Sequence, residues 1–370
     1  MSFIENELQS VRKILVFPFD LLAHYLRSME LVKHFPNAEI VFAESKSYND
    51  FIKRQGFTTF KVLQFDTDYV MKCSRKFDFS WLNYNDIKTV YDDQVRVIKN
   101  EQPDLVFGDI APTLKMASEK CKISYLALNN AYLSPYYKYV RKLSIRHKIY
   151  PLFKFLPHQI TDKMTEMGEN FTFRTIHRSF RRLRQKESLQ RFSSYLEEMQ
   201  GDYNLLCDSE ALFPQVNLPE NYEIIGPLNH KVGSKEEDLL SKLNPNLKTI
   251  VICMGSSGDW DFWDFIEEND LYNYNIITAG SDRSYTAKNI YSRIFINLDA
   301  VLEKADLLIC HGGNGTIYTG LSANVPILCR TSHFEQEWNV HGLERLNLGI
   351  SLDQMTKQET IDTIHKVLDS

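Results

Sequence analysis

The sequence has no apolar run that approaches the ~18 continuous residues a membrane-spanning helix needs. Its six cysteines, at positions 73, 121, 207, 253, 310 and 329, include no CxxC pair and no close His pairing. That excludes a zinc ribbon and a disulfide framework. The first ten residues, MSFIENELQS, are polar and acidic, unlike the basic and then apolar start of a secretory leader. Low-complexity tracts are missing too. These absences lead us to expect a reduced, cytoplasmic, fully folded chain.

With 370 residues, 43% of them apolar and 25% charged, the chain is long enough for two domains that each bury a core. The formal net charge is only −5, but it is unevenly spread. Lys138–Arg191 holds fourteen Lys plus Arg against four Asp plus Glu, a local +10, so the remainder carries −15. One basic face follows, suited to nucleic acid, an anionic membrane surface or an acidic substrate. No base-reading motif accompanies it, so nucleic acid is not an expected partner.

Strand and helix patterns alternate from the start. Strands are expected at Lys13–Phe19, Ala38–Ala43, Lys61–Phe65, Asp104–Phe107 and Ser124–Leu128, with helices between them, the signature of parallel βαβ units. From about Tyr132 to Gln200 the strand patterns stop. Arg- and Lys-rich periodicity, punctuated by Pro151 and Pro157, predicts two or three long helices there. Alternation resumes at Asn204–Cys207 and Tyr222–Ile225. The turn Gly226-Pro227 marks the expected boundary between a domain at 1–225, with its basic helical segment 136–200, and a domain at 226–370. In the second domain, strands are expected at Lys248–Met254, Asn275–Thr278, Arg293–Ile296, Asp306–Cys310 and Val325–Leu328. The fold class is α/β, two Rossmann-like domains with ligand binding at the carboxyl ends of the strands.

The most informative segment is Asp306-Leu-Leu-Ile-Cys-His311-Gly-Gly-Asn-Gly-Thr316. A buried strand ends at His311, and glycines 312, 313 and 315 let the backbone come close to a ligand. The helix starting near Thr316 would aim its unpaired N–H groups and positive dipole end at the turn, which makes a diphosphate cradle. His311 would add a side-chain donor.

His311–Asn339 resembles the donor-binding signature of glycosyltransferase family 1, the UDP-glycosyltransferase superfamily, in its bacterial form. Glu335-Gln336 and Asn339 stand where that signature has its acidic-Gln pair and Asn. Leu205–Phe213, Ile225–Leu228, Met254-Gly-Ser-Ser257 and Leu298–Asp306 resemble further family segments in the same order. The resemblance implies the GT-B architecture, with two Rossmann-like domains facing a central cleft. It implies that Gly255, Ser256, His311, Gly313, Asn314, Gly315 and Thr316 hold a donor diphosphate, and that Glu335 and Gln336 bond the donor sugar hydroxyls. Two departures bear on the nucleotide. Thr319 replaces the family's ribose-binding Glu, and Asn297-Leu298 replaces its base-reading Pro-Gln.

The implied chemistry is inverting transfer without a metal or any cofactor beyond the nucleotide-sugar substrate. A general base must take the proton of the attacking hydroxyl. By position the resemblance assigns this to His24, oriented by Asp109 at the end of a later strand. Asp20 is the alternative base. Arg27, where the family has Pro, is read either as a contact for an anionic acceptor or as a solvated helix residue.

The whole then reads as a glycosyltransferase moving a hexosyl group from a UDP- or dTDP-sugar to a small-molecule, glycan or lipid acceptor. The aromatic and basic stretch 138–191 suggests peripheral contact with an anionic membrane at its inner face, or a lid over the acceptor. Hydrolysis or epimerisation of a UDP-sugar on the same fold, and a catalytically silent partner of another transferase, are the alternatives. Family members continue past the helix that Lys357–Leu368 resembles. An end at Ser370 therefore implies either truncation or domains tied only near Gly226.

Overall fold

The computed structural model describes residues 6–153, 155–229, 235–255, 258–267, 271–281 and 283–369. The chain divides into two compact units, Met1–His230 and Lys231–Ser370.

In the first unit, β1 (Lys13–Pro18) leads to α1 (Leu22–Val32), β2 (Glu39–Ala43), α2 (Asn49–Arg54) and β3 (Thr58–Phe60). Then come α3 (Thr67–Ser74), α4 (Tyr84–Glu101), β4 (Leu105–Asp109), α5 (Leu114–Cys121) and β5 (Ser124–Asn129). After α6 (Tyr150–Phe153), α7 (His158–Glu187) and α8 (Tyr195–Glu198), the unit closes with β6 (Tyr203–Leu206) and β7 (Tyr222–Ile224). All pairings are parallel, in the order β3-β2-β1-β4-β5-β6-β7.

Strand alternation sends Ile14 and Val16 to one face and Leu15 and Phe17 to the other. Tyr25 and Met29 of α1 cover the first pair. Residues of α4, α5 and the second half of α7 cover the second. Both faces of the sheet are dry, which is why β1 reads as a continuous apolar run.

The second unit runs α9 (Glu237–Leu240), β8 (Thr249–Cys253), β9 (Asn275–Ala279), β10 (Ile290–Arg293), α10 (Leu298–Leu302) and β11 (Leu307–Cys310). It continues with α11 (Asn314–Ser322), β12 (Ile327–Cys329), α12 (Phe334–Arg345), β13 (Ile350–Ser351) and α13 (Lys357–Asp369). Its parallel order, β10-β9-β8-β11-β12-β13, is the 3-2-1-4-5-6 order of a dinucleotide-binding sheet. At Gly320 an added Cβ would lie 2.7 Å from Leu308 Cδ2, so glycine lets α11 settle directly on the sheet.

Three expectations need correction. The strand expected at Lys61–Phe65 lies at Thr58–Phe60, where it pairs with Val41–Ala43; Lys61–Phe65 is irregular. The strand expected at Arg293–Ile296 lies at Ile290–Arg293, and Ile294 and Phe295 are instead exposed. Among the described residues the basic segment 136–200 holds one long helix, α7, and two single turns; Pro157 caps the start of α7 rather than interrupting it.

Candidate active site

Each sheet has one place where the connections change direction, between β1 and β4 in the first and between β8 and β11 in the second. In open α/β sheets, ligands bind beyond the strand ends at that switch point. The candidate residues of each unit cluster there.

In the second unit, β8 and β11 end side by side, with Cys253 paired to Cys310. Gly255 and His311 follow at once. The His311 ring lies between two glycines. A Cβ on Gly255 would come 2.8 Å from His311 Cε1, and one on Gly313 would come 2.4 Å from Nε2. Gly255 also sits at φ +55° and Gly312 at φ +84°, conformations that favour glycine. His311 is 8% exposed. Burial lowers its pKa to about 4, so the ring is neutral at physiological pH.

His311 Nδ1 is 3.5 Å from the Cys253 carbonyl, which can only accept, so this contact favours a proton on Nδ1 and a bare Nε2. In that state Nε2 accepts. Nε2 can donate only after a second proton or a tautomer exchange arrives.

Helix α11 starts at Asn314, two residues before the expected start, with Gly313 as its N-cap and no side-chain cap bond. Gly315 and Thr316 thus lie in its first turn, where N–H groups point out along the axis. Thr319 Oγ1 donates to the Gly315 carbonyl at 3.0 Å, so the hydroxyl that replaces the family Glu serves its own helix. Asn339 Nδ2 donates to the Gly312 carbonyl at 3.0 Å and fixes the turn from α12. Gln336 is buried and its Oε1 accepts the Ser332 N–H at 2.6 Å, reaching back over the start of α12. Glu335, its neighbour, is half-buried. Ser256 lies outside the described residues.

In the first unit, Pro18 of β1 pairs with Asp109 of β4, and His24 follows in the first turn of α1. His24 Nδ1 meets Asp109 Oδ1 at 2.9 Å. Asp109 is fully buried, whereas the imidazole is 17% exposed. The sequence did not reveal that Arg27 joins this pair. Its Nε donates to Asp109 Oδ2 at 2.5 Å, its Nη2 donates to Oδ1, and its Nη1 donates to Asn130 Oδ1. Arg27 Nη2 also lies 3.1 Å from His24 Nδ1.

Both earlier readings of Arg27 are therefore corrected. It is 8% exposed rather than solvated, and its guanidinium is spent on Asp109 rather than open to an acceptor anion. The buried carboxylate supplies the reason, because it needs a full counter-charge. Burial lowers the His24 pKa, with Asp109 pulling it up and Arg27 pushing it down further. Burial alone would raise the Asp109 carboxyl, but Arg27 and then His24 outweigh it and hold it below its ordinary value.

Asp20 accepts from Ser45 Oγ at 2.5 Å and from the Lys46 N–H at 3.0 Å, which ties both its oxygens to the loop after β2. Ile110, directly after Asp109, has φ +53°, strained for a β-branched residue. It borders a small apolar hollow of about 30 Å³ lined by Phe17, Phe19, Val62, Phe65 and Val90 among others. Phe19, one of its walls, meets the His24 ring edge-on at 5.8 Å. Among the described residues no cluster of His, Cys, Asp or Glu could hold a metal ion.

Comparison with known proteins gives relatives of this chain. The glycosyltransferase family 28 C-terminal domain profile matches residues 228–370. That description is family 28, where the sequence signature pointed to family 1; both share the GT-B architecture. A "PGL/p-HBAD biosynthesis rhamnosyltransferase" of Mycobacterium bovis (strain BCG / Pasteur 1173P2) is 23% identical over 283 residues, covering 74% of this chain. The chain spans 62% of that relative's length.

Among solved structures, the glycotransferase of kitacinnamycin superposes with a TM-score of 0.70 at 15% identity, covering 97% of this chain and 91% of its own. The spinosyn rhamnosyltransferase SpnG complexed with thymidine diphosphate gives 0.64 at 14% identity, covering 97% and 92%. The chain has the GT-B fold of these glycosyltransferases, and its C-terminal unit is similar to the C-terminal domain of glycosyltransferase family 28.

Proposed function

We propose that this protein is an inverting, metal-independent glycosyltransferase of the family 1 type that moves a hexosyl group from a UDP- or dTDP-sugar to an acceptor hydroxyl. The observation that carries this reading is the His311 turn. Two glycines flank its ring, and a helix lacking a side-chain cap begins immediately after it, at the switch point of a dinucleotide-type sheet. The backbone N–H groups of Asn314, Gly315 and Thr316, with Gly255 alongside, suit a diphosphate. Their fixed positive potential would stabilise the leaving nucleoside diphosphate without a bound cation. Glu335 would take sugar hydroxyls. Gln336 would help mainly by shaping the loop.

On the acceptor side, His24 Nδ1–H held by Asp109 leaves Nε2 to take the hydroxyl proton. The acceptor would be a hydroxyl carried by a small molecule, a glycan or a lipid, with the Phe19 ring packed edge-on to His24 as one apolar wall near the base. A peripheral contact with an anionic membrane through 138–191 belongs to the same reading.

The test is incubation with UDP-glucose, UDP-N-acetylglucosamine and dTDP-rhamnose and a panel of small-molecule, glycan and lipid hydroxyl acceptors, with and without EDTA. Glycosylated product of inverted anomeric configuration that persists in EDTA is the expected result. Nucleotide release without acceptor would instead indicate a hydrolase. Saturating nucleotide binding with neither outcome would indicate a silent partner.

A further inference from the structure

Helix α7 is inside out over its first half. Ile160, Met164, Met167 and Phe171 recur at intervals of four, three and four residues and so form one stripe. They are 49%, 44%, 67% and 67% exposed. The half-buried positions are the polar ones, Thr161, Thr165 and Glu169, and Glu169 is ion-paired with the buried Arg141. Beyond Phe171 the helix reverts to the ordinary arrangement, with Phe173, Ile176, Phe180 and Leu183 in the core. Just upstream, Leu152 and Phe155 are 72% and 86% exposed. Scattered exposed apolar residues are ordinary in a folded protein, but a contiguous set on one helix face marks a surface meant to be covered.

Charge identifies what covers it. Continuing the stripe toward the C-terminus, the next positions are Arg174 and Arg178, both exposed, and Lys163 flanks it. Asp162 and Glu166 lie outside the stripe, turned toward the other side of the helix at 100° per residue. A second copy meeting through the same face would have to bury these guanidinium groups against apolar side chains or against one another. An anionic bilayer has an apolar layer and a phosphate layer in the matching arrangement. The apolar half of the helix, about 20 Å long, is too short to cross a bilayer but suits lying in its interface.

We propose that the outward face of α7, with Leu152 and Phe155, docks this protein on an anionic lipid surface, apolar side chains in the acyl boundary and Lys163, Arg174 and Arg178 among the headgroup phosphates. This deepens the membrane contact of the proposed function and rests on it, but the flotation test needs neither donor nor acceptor, so its failure is distinguishable from failure of sugar transfer.

The test is flotation of the full chain with vesicles of phosphatidylcholine alone or mixed with phosphatidylglycerol, at low and moderate salt. Association with the mixed vesicles that weakens as salt rises is expected. Met167→Ser with Phe171→Ser should weaken it by about tenfold or more. Arg174→Ser with Arg178→Ser should weaken it and flatten the salt dependence. Circular dichroism melting checks that each variant is folded, and Phe155→Ser gives a second probe outside the helix. The proposal fails if the wild type leaves mixed vesicles unbound, or if the apolar double variant binds like wild type. It fails equally if sedimentation shows a dimer that the double variant disperses, which would make the face a self-interface.

Discussion

Arg27 and His24 share one carboxylate oxygen. Asp109 Oδ1 accepts from Arg27 Nη2 and meets His24 Nδ1 at 2.9 Å, while Arg27 Nε holds Oδ2 at 2.5 Å. A carboxylate that only orients a histidine lends it a full negative charge. Here much of that charge is already balanced, so the imidazolium formed during proton transfer is less favoured.

The first prediction follows from this pairing. With His24 as the base, the acid limb of the kcat/KM profile should lie below the ordinary histidine value. Arg27→Gln removes a depressing charge, so the limb should move to higher pH. Arg27→Leu also leaves Asp109 buried without its cation, which should cost about 3–5 kcal/mol in denaturant unfolding. An unmoved limb in a folded Arg27→Gln protein would show that Arg27 does not act on the base.

His24→Ala should reduce transfer by about 10²–10⁴-fold and leave nucleotide affinity, measured by calorimetry, unchanged. Full turnover in this variant would remove His24 from the mechanism. Asp20, whose oxygens accept from Ser45 Oγ and the Lys46 N–H, is the alternative base that retained turnover would point to.

Gly313→Ala should discriminate nucleotide binding from folding. The added Cβ would stand 2.4 Å from His311 Nε2, so the ring must leave its place. We expect UDP or dTDP affinity to fall by about tenfold or more, equal to ~1.4 kcal/mol, with the melting temperature much less affected. Unchanged affinity would show that the turn does not carry the diphosphate.

His311 links the stability of the second unit to pH. Its folded pKa of about 4 lies below the unfolded value, so the unfolded chain binds the proton first as pH falls. The contribution is full above about pH 6.5 and drains away toward pH 4, by up to roughly 3 kcal/mol. The difference between wild type and His311→Gln, followed by denaturant unfolding from pH 7 to pH 4, should narrow or reverse in that window. A difference independent of pH would contradict a neutral, buried His311.

The basic segment offers a stability prediction of its own. Arg184 is 1% exposed and Glu198 is fully buried; they bond through Nε and Nη2 at 2.7 Å each, and His177 Nε2 meets Glu198 at 2.7 Å. Arg184→Met strands that carboxylate and should destabilise the first unit by about 3–5 kcal/mol. A loss below about 1 kcal/mol would mean Glu198 is satisfied without it.

Local information carried much of this protein. Apolar runs of five or six residues between amphipathic stretches announce parallel strands, because a doubly covered sheet demands them. Glycines beside His311 announce a close approach, because only they tolerate it. The pairing of His24 with Asp109 was expected from the family resemblance, and the two meet at 2.9 Å. What the one-dimensional pattern could not decide was which partner each side chain would find. Arg27 looks like a surface cation until folding brings it to Asp109, 82 positions away. Gln336 turns toward Ser332, and the +10 segment places Arg141 and Arg184 in buried ion pairs while the outward stripe of α7 stays uncovered. Periodicity records that a helix has two faces; only the packed molecule determines which of them meets the core, because burial is a property of the surroundings and not of the residue.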